Sequence, residues 1–115
     1  MRREVFDGRD GFLTVGEAPG ITPVRNEHIT NPANGELDML FLFDHVDFDC
    51  DGVKWKPLPL DLPGFKRIMA GYQTAVENVG WASLFTGNHD QPRVVSRWGD
   101  DSSEESRVRS AKALG

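Results

Sequence analysis

The sequence predicts an α/β protein built on a parallel sheet, and two patterns carry this prediction. Short runs of apolar, β-forming residues alternate along the chain with longer amphipathic stretches. Strands that alternate with helices in this way form βαβ units, whose crossovers are right-handed. The run Leu37–Phe43 is almost continuously apolar, which is typical of a strand that is covered on both faces.

Three strands are predicted, and each ends at a turn signal. They are Phe12–Gly16, Leu37–Phe43 and Trp81–Thr86. The first strand stops at Glu17, because a following Pro19 and Gly20 cannot continue a central strand. The third strand stops at Gly87, and Trp81 at its start is expected to pack against other residues.

The helices alternate with these strands. Glu4–Phe6 is the last turn of a helix that stops at Gly8, and a second helix starts at Pro23, capped by Thr22, and runs to about Ile29. After an irregular stretch, Asp44–Pro63, the strongest helix pattern covers about Pro63–Asn78 and stops at Gly80.

The C-terminal stretch carries its own helix signal. Ser102 and Glu105 form the pattern of a capping box for a helix that runs to the C-terminus.

Composition excludes several classes of protein. With 38% hydrophobic and 27% charged residues the chain is an ordinary globular protein. A net charge of −5 disfavours nucleic acid as a partner. The single cysteine, Cys50, cannot form an internal disulfide. A charged N-terminus and the lack of a long apolar run predict no membrane partner and a cytoplasmic location.

Two carboxylates are the candidates for chemistry. Glu17 follows the first strand, and Asp90 follows the third with His89 beside it. Carboxyl ends of parallel strands form the ligand site in α/β proteins, so this pair fits acid–base or glycosyl-transfer chemistry. The alternative is that Glu17 is a solvated loop residue and that His89 and Asp90 cap a turn.

Four motifs, in order along the chain, resemble the α-amylase superfamily (glycoside hydrolase family 13), in its α-glucosidase and oligo-1,6-glucosidase branch. The motifs are Thr14–Glu17 with Pro19-Gly20, Leu37–Asp49, Asn88–Arg93 and Arg93–Gly99. They are similar to the motif after the fifth strand, to the sixth strand with its loop, and to the motif after the seventh strand of that family's barrel. The resemblance implies a partial (β/α)₈ TIM barrel of about three β/α units, with residues 1–115 as one piece of the catalytic domain and no second domain.

The resemblance also implies roles for individual residues. Glu17 would be the general acid/base and Asp90 the transition-state stabiliser, while His89 would bond a sugar hydroxyl. Phe43 and His45 would line the sugar site, with packing or loop capping as an equal alternative. Arg93 would orient Asp90 or brace its loop. The implied function is a retaining α-glucosidase acting on oligosaccharides or disaccharides, without a cofactor.

One expected part of the family's site is absent from these residues. Retention requires a nucleophilic carboxylate, which the family carries in a motif resembling G-F-R-x-D after the fourth strand. No such motif occurs in the chain, so the nucleophile is expected upstream of Met1. The 115-residue chain alone is therefore expected to be inactive and marginally stable.

Two rival functions remain open at this point. Asp47, Asp49 and Asp51 before Gly52 match the first half of a calcium loop, but Leu58 stands where the bidentate acid should be, so a solvated acidic loop is favoured over a metal. Alternatively, the chain is a non-catalytic half-barrel that binds carbohydrate or assembles with another chain. Sugar stacking would then use the three tryptophans, Trp55, Trp81 and Trp98.

Overall fold

The computed structural model of the chain describes residues 2–6, 8–53 and 55–115. Over those residues it has two strands, β1 (Val15–Glu17) and β2 (Met39–Phe41). The helices are α1 (Arg2–Val5), α2 (Pro23–Thr30), α3 (Asp44–Asp47), α4 (Leu62–Val76), α5 (Val94–Trp98) and α6 (Glu104–Leu114). None of these helices is long and apolar enough to cross a membrane.

The two strands are parallel neighbours, as predicted, but their bounds differ from the prediction. β1 begins three residues later than predicted and includes Glu17 as its last residue, and β2 covers only the middle of the predicted run Leu37–Phe43. Val15 lies opposite Met39, and Glu17 lies opposite Phe41. Just before the strands, the amide and the hydroxyl of Thr14 donate to the Asp38 carboxylate at 2.8 and 2.7 Å, and the Asp38 amide donates to the Thr14 hydroxyl at 2.9 Å. This reciprocal pair fixes the register, since a slip of one residue would break all three bonds.

The prediction of a third continuous strand at Trp81–Thr86 is wrong. Ser83 forms a single parallel bridge with Phe41, so the segment runs beside β2 in the strand direction without a ladder. The Leu84 amide instead donates to the Ala82 carbonyl at 3.1 Å, a tight turn that takes the donor a ladder would use. Trp81 is 75% exposed rather than packed.

Helices α2 and α4, which pack against the sheet, begin at side-chain caps. Thr22 accepts a hydrogen bond from the Arg25 amide at 3.3 Å at the start of α2, which confirms that predicted cap. Asp61 accepts from the Gly64 amide at 3.1 Å at the start of α4. Both ends of α4 lie within two residues of the predicted bounds.

The remaining helices differ more from the predictions. The α3 helix lies in the stretch predicted to be irregular, and α5 was not predicted. The cap of α6 is Ser103, which accepts from the Ser106 amide at 3.1 Å, so the capping box at Ser102 and Glu105 is wrong by one residue. The Ser102 amide donates to the Asp100 carboxylate at 2.9 Å, which holds Ser102 in a turn before the helix.

The core lies between one face of the sheet and the helices α2 and α4. It is formed by Ile21, Leu40, Leu42 and Tyr72. The Tyr72 hydroxyl contacts the Ile21 carbonyl and the Asp44 carboxylate, the latter at 2.7 Å. Burial, and then the neighbouring Asp44, raise the pKa of Tyr72, so the hydroxyl keeps its proton and ties α4 to the end of β2.

The opposite face of the sheet is open. Val15 and Phe41 are both 39% exposed, and they alternate with Gly16 and the buried Leu40, as residues along a strand do. The radius of gyration is 16.6 Å, whereas a compact domain of about 100 residues has about 13 Å. A sheet with one covered face and an extended shape is consistent with part of a barrel.

Replacing the α4 cap should destabilise the fold by a predictable amount. Asp61→Ala removes the acceptor for the Gly64 amide and should lower the free energy of unfolding by about 1 kcal/mol, whereas Asp61→Asn keeps an acceptor and should change it little. Urea unfolding followed by tryptophan fluorescence measures both. Asp61 also lies 3.8 Å from exposed Arg67, and Asp61→Asn removes that ion pair. Equal losses in both variants would therefore assign the effect to the ion pair instead of the cap.

Candidate active site

The strands deliver the candidate residues to one edge of the sheet. β1 ends at Glu17, β2 continues through Phe43 into α3, and the segment bridged at Ser83 continues to Asp90. Because all three run parallel, their carboxyl ends emerge at the same edge, where α/β proteins bind their ligands.

Glu17 stands at the open face of this edge. It is exposed and is the register partner of Phe41, so both side chains leave the sheet on the same face. Among the described residues, Glu17 makes no side-chain hydrogen bond or ion pair. Its carboxyl group is thus free to meet a ligand.

His89 and Asp90 lie together on an exposed turn. His89 Nε2 is 3.3 Å from Asp90 Oδ2, and the side chains are 83% and 66% exposed. The Asp90 amide donates to Asn88 Oδ1 at 2.9 Å, which bends the chain at this point. Within the described part of the chain, no hydrogen bond or ion pair joins either residue to Glu17.

Phe43 belongs to an aromatic cluster behind the edge. Its ring meets the Phe85 ring edge-on, with 5.6 Å between centroids, and Phe41 meets the same ring at 5.9 Å. Phe43 is half-buried, so part of its ring forms an apolar wall near the turn. Phe85, at the centre of the cluster, was not among the predicted site residues.

His45 is fully buried, an arrangement that supports the packing alternative over contact with sugar. Its Nε2 bonds the Phe85 carbonyl, and its ring lies 5.2 Å from the Phe85 ring and 6.1 Å from that of Phe65. Burial lowers the pKa of His45, and the Phe85 carbonyl only partly offsets this effect. The ring is therefore neutral at pH 7, with the Nε2 proton donated to the carbonyl.

Arg93 lies at the cleft between α5 and α6. It is exposed at the start of α5 and lines a cleft with Asp101, Arg107 and Val108. No hydrogen bond or ion pair between Arg93 and Asp90 is present in the described structure. The role of Arg93 in orienting Asp90 or bracing its loop stays a prediction.

A buried network around Arg97 is the part of the site that sequence reasoning missed. Arg97 Nε donates to Asp49 at 3.0 Å, its Nη2 contacts the same carboxylate and the Val46 carbonyl, and its Nη1 donates to Gln91 Oε1 at 2.9 Å. Trp98 Nε1 donates to Asp49 at 2.7 Å. The side chains of Arg97 and Asp49 are each only 1% exposed.

The charge on Asp49 is held by this network. Burial alone would raise the pKa of Asp49, but hydrogen bonds from Arg97 and then Trp98 outweigh it and keep the pKa below its ordinary value. The carboxylate oxygens are therefore committed to donors of the protein. This leaves the predicted half calcium loop without its central ligand, and no cluster of three potential metal ligands occurs among the described residues.

Comparisons with known proteins agree on one family. A sequence model of the alpha-amylase catalytic domain matches residues 1–115. The oligo-1,6-glucosidase of Parageobacillus thermoglucosidasius is 47% identical over 115 residues, which cover 99% of this chain and 20% of that enzyme. The trehalose-6-phosphate hydrolase of Bacillus subtilis (strain 168) is 46% identical over 116 residues, with the same two shares.

A solved structure shows the same likeness. A mutant of MutB in complex with the substrate sucrose superposes with a TM-score of 0.81 at 34% identity, covering 98% of this chain and 20% of that one. MutB is the trehalulose synthase of Pseudomonas mesoacidophila MX-45. The chain thus spans about a fifth of the length of the relatives it matches.

Removing Arg97 should expose the cost of an unpaired buried charge. Arg97→Met leaves the Asp49 carboxylate buried without its cation and should lower the free energy of unfolding by about 3–5 kcal/mol. Adding Asp49→Asn to that variant should restore part of the loss, because a neutral amide costs less to bury and still accepts from Trp98. Because the isolated chain is expected to be only marginally stable, the folded fractions of the wild type and the two variants are compared by circular dichroism without denaturant.

The pH dependence gives a second check on the same pair. With its pKa depressed in the folded state, Asp49 contributes stability above its unfolded pKa of about 3.9. This contribution is lost as pH falls through the folded pKa. The stability difference between the wild-type chain and Asp49→Asn should therefore shrink below about pH 4. A difference that is independent of pH would contradict this account of the carboxylate.

Proposed function

Because the chain belongs to the alpha-amylase catalytic-domain family, we propose that it is part of the catalytic barrel of a retaining α-glucosidase. In this proposal residues 1–115 supply about three β/α units, resembling the fifth to seventh, to a longer protein, called the parent protein below. The parent protein hydrolyses α-glucosidic bonds of short oligosaccharides or disaccharides in carbohydrate metabolism. Relatives named oligo-1,6-glucosidase and trehalose-6-phosphate hydrolase support it.

The observation that carries the proposal is the shared edge of Glu17 and Asp90. Both are exposed, and both follow parallel segments that flank β2. The open face of the sheet, with Phe41 beside Glu17, lies below this edge. In a closed barrel the residues at the carboxyl ends of strands form the active site, which is where two carboxylates of different roles are needed.

The proposed chemistry divides between these two groups. Glu17 in its protonated form gives its proton to the glycosidic oxygen as the bond to the leaving group breaks. As a carboxylate it then takes a proton from the water that attacks the anomeric carbon. Asp90 and His89 bond hydroxyls of the distorted sugar ring, and these bonds accelerate the reaction only insofar as they tighten in the transition state.

The proposal needs a third carboxylate as nucleophile. In retaining glycosidases it lies about 5–5.5 Å from the acid, on the opposite side of the scissile bond. We place it on a segment of the parent protein outside these residues, since the chain holds no G-F-R-x-D-like motif. The half-buried ring of Phe43 contributes an apolar wall to the same sugar site.

The reading frame around the 115 codons tests the proposal first. An upstream sequence that continues in frame into an apolar strand and a G-F-R-x-D-like segment would support it. A stop codon and a promoter directly before Met1 would overturn it, and would leave sugar binding or assembly as the function to examine.

Glu17→Gln in the parent protein should abolish most hydrolysis. Loss of general acid and base catalysis should lower kcat on isomaltose by about 10²–10⁴-fold. An aryl α-glucoside needs little protonation of its leaving group, so added azide should restore its turnover as glucosyl azide. Glu36→Gln is the matched control, because exposed Glu36 precedes β2 at the opposite edge of the sheet. Equal activity of the two variants would remove Glu17 from the mechanism.

The purified 115-residue chain should show no turnover of any α-glucoside, because the nucleophile is missing. A chromogenic aryl α-glucoside assay, run with the parent protein as positive control, measures this. Steady turnover that co-purifies with the chain would overturn the assignment of the nucleophile to another segment.

A further inference from the structure

We propose that His45 and Arg97 are positioning residues that hold the Asp90 turn, residues 86–91, at its two ends, and that neither touches substrate. The inference rests on the proposed function, in which Asp90 stabilises the transition state. It assigns His45 to the support of the site and not to the wall of the sugar pocket. It also gives a supporting role to Arg97, whose buried side chain cannot reach substrate.

The first end of the turn is held by His45. Its Nε2 proton is donated to the carbonyl of Phe85, the residue directly before Thr86. The histidine ring is fully buried and is wedged between the rings of Phe65 and Phe85. A buried ring with two aromatic neighbours has little freedom to move, so the carbonyl from which the turn departs is fixed.

The second end is held by Arg97 through Gln91, which follows Asp90. Gln91 is 6% exposed, and its Oε1 accepts from Arg97 Nη1 at 2.9 Å. Because a guanidinium only donates, the amide must present its oxygen to Arg97. The guanidinium is itself locked by the Asp49 carboxylate and the Val46 carbonyl, and it lies 4.8 Å from the Trp98 ring centre.

Both ends are tied to the same body. His45, Val46 and Asp49 all lie in or just after α3, which continues directly from β2. β2 pairs with β1, which ends at Glu17. A continuous rigid path therefore connects the strand that carries Glu17 with the turn that carries Asp90, and it runs through the two anchors.

The turn between the anchors has little support of its own. The Asp90 and His89 side chains are 66% and 83% exposed. Within the described part of the chain, the polar contacts of these two residues are with each other and with Asn88. An exposed catalytic side chain keeps its geometry only if the surrounding shell fixes its backbone. That task falls on Phe85 and Gln91, the residues on either side of the exposed stretch.

Gln91 offers the sharpest test, because changing it leaves the Arg97–Asp49 pair in place. In the parent protein, Gln91→Leu keeps the size of the side chain but removes the acceptor, whereas Gln91→Glu keeps an acceptor for Arg97. At the other end, His45→Leu removes the donor and His45→Gln keeps one. Ser96→Ala, on the exposed side of α5, is the control. For each variant, kcat and KM on isomaltose and the thermal midpoint are measured.

Gln91→Leu and His45→Leu should each lower kcat by about 10–100-fold, the loss that a displacement of roughly 1 Å produces. KM should change less than about threefold, since these contacts act through the transition state. Gln91→Glu and His45→Gln should recover at least half of the lost activity on a logarithmic scale.

Two results would overturn the inference while leaving the proposed function intact. One is an active wild-type parent protein whose Gln91→Leu and His45→Leu variants keep the wild-type kcat. The other is a loss of activity that follows the thermal midpoint equally in the apolar and conservative variants, which would mean a structural role only. A parent protein with no α-glucosidase activity would instead refute the proposed function, and the inference with it.

Discussion

The buried ion pair between Arg97 and Asp49 is the interaction on which the arrangement of the edge depends. Desolvating two charges costs several kcal/mol per ion, and only good geometry with further hydrogen bonds repays it. Here the guanidinium reaches a carboxylate, a main-chain carbonyl and an amide oxygen, while Trp98 satisfies the carboxylate further. Apolar side chains could fill the same volume, but their contacts are not directional and could not fix the orientation of the groups around them. The pair therefore accounts for how the short helix α3 and the exposed Asp90 turn keep a fixed position relative to each other.

The sheet is small, and polar contacts at its two ends hold it in place. Its two strands span only three residues each, and the reciprocal bonds of Thr14 with Asp38 set their register at the amino end. Tyr72 ties the long helix α4 to Asp44 at the carboxyl end. Polar contacts thus define both ends of a small apolar core around Leu40 and Leu42. The candidate site lies at the carboxyl end of the strands, which is also the end where Arg97 forms its hydrogen-bond network.

Local patterns predicted the elements whose causes are local. The cap at Thr22, the apolar run of β2 and the amphipathic helix α4 each depend on neighbours within a few residues, and all three are present. The third strand failed because strand pairing is decided by a partner distant in sequence, and Ser83 meets β2 at one point only. The Arg97 network was missed for the same reason, since Asp49 lies in an acidic stretch that looks solvated. The buried state of His45 was likewise decided by Phe65 and Phe85, which no motif links to it.

The one-sided burial of the sheet has a consequence for biosynthesis. Helices α2 and α4 cover the Leu40 face, whereas Val15 and Phe41 are exposed to water. Ribosomes add about 5–20 residues per second, so in the proposed barrel this surface would face water for seconds until the rest of the barrel is complete. Exposed apolar surface of this kind makes a partly folded chain prone to association, so this face of the sheet would be the place where neighbouring nascent chains meet or chaperones bind.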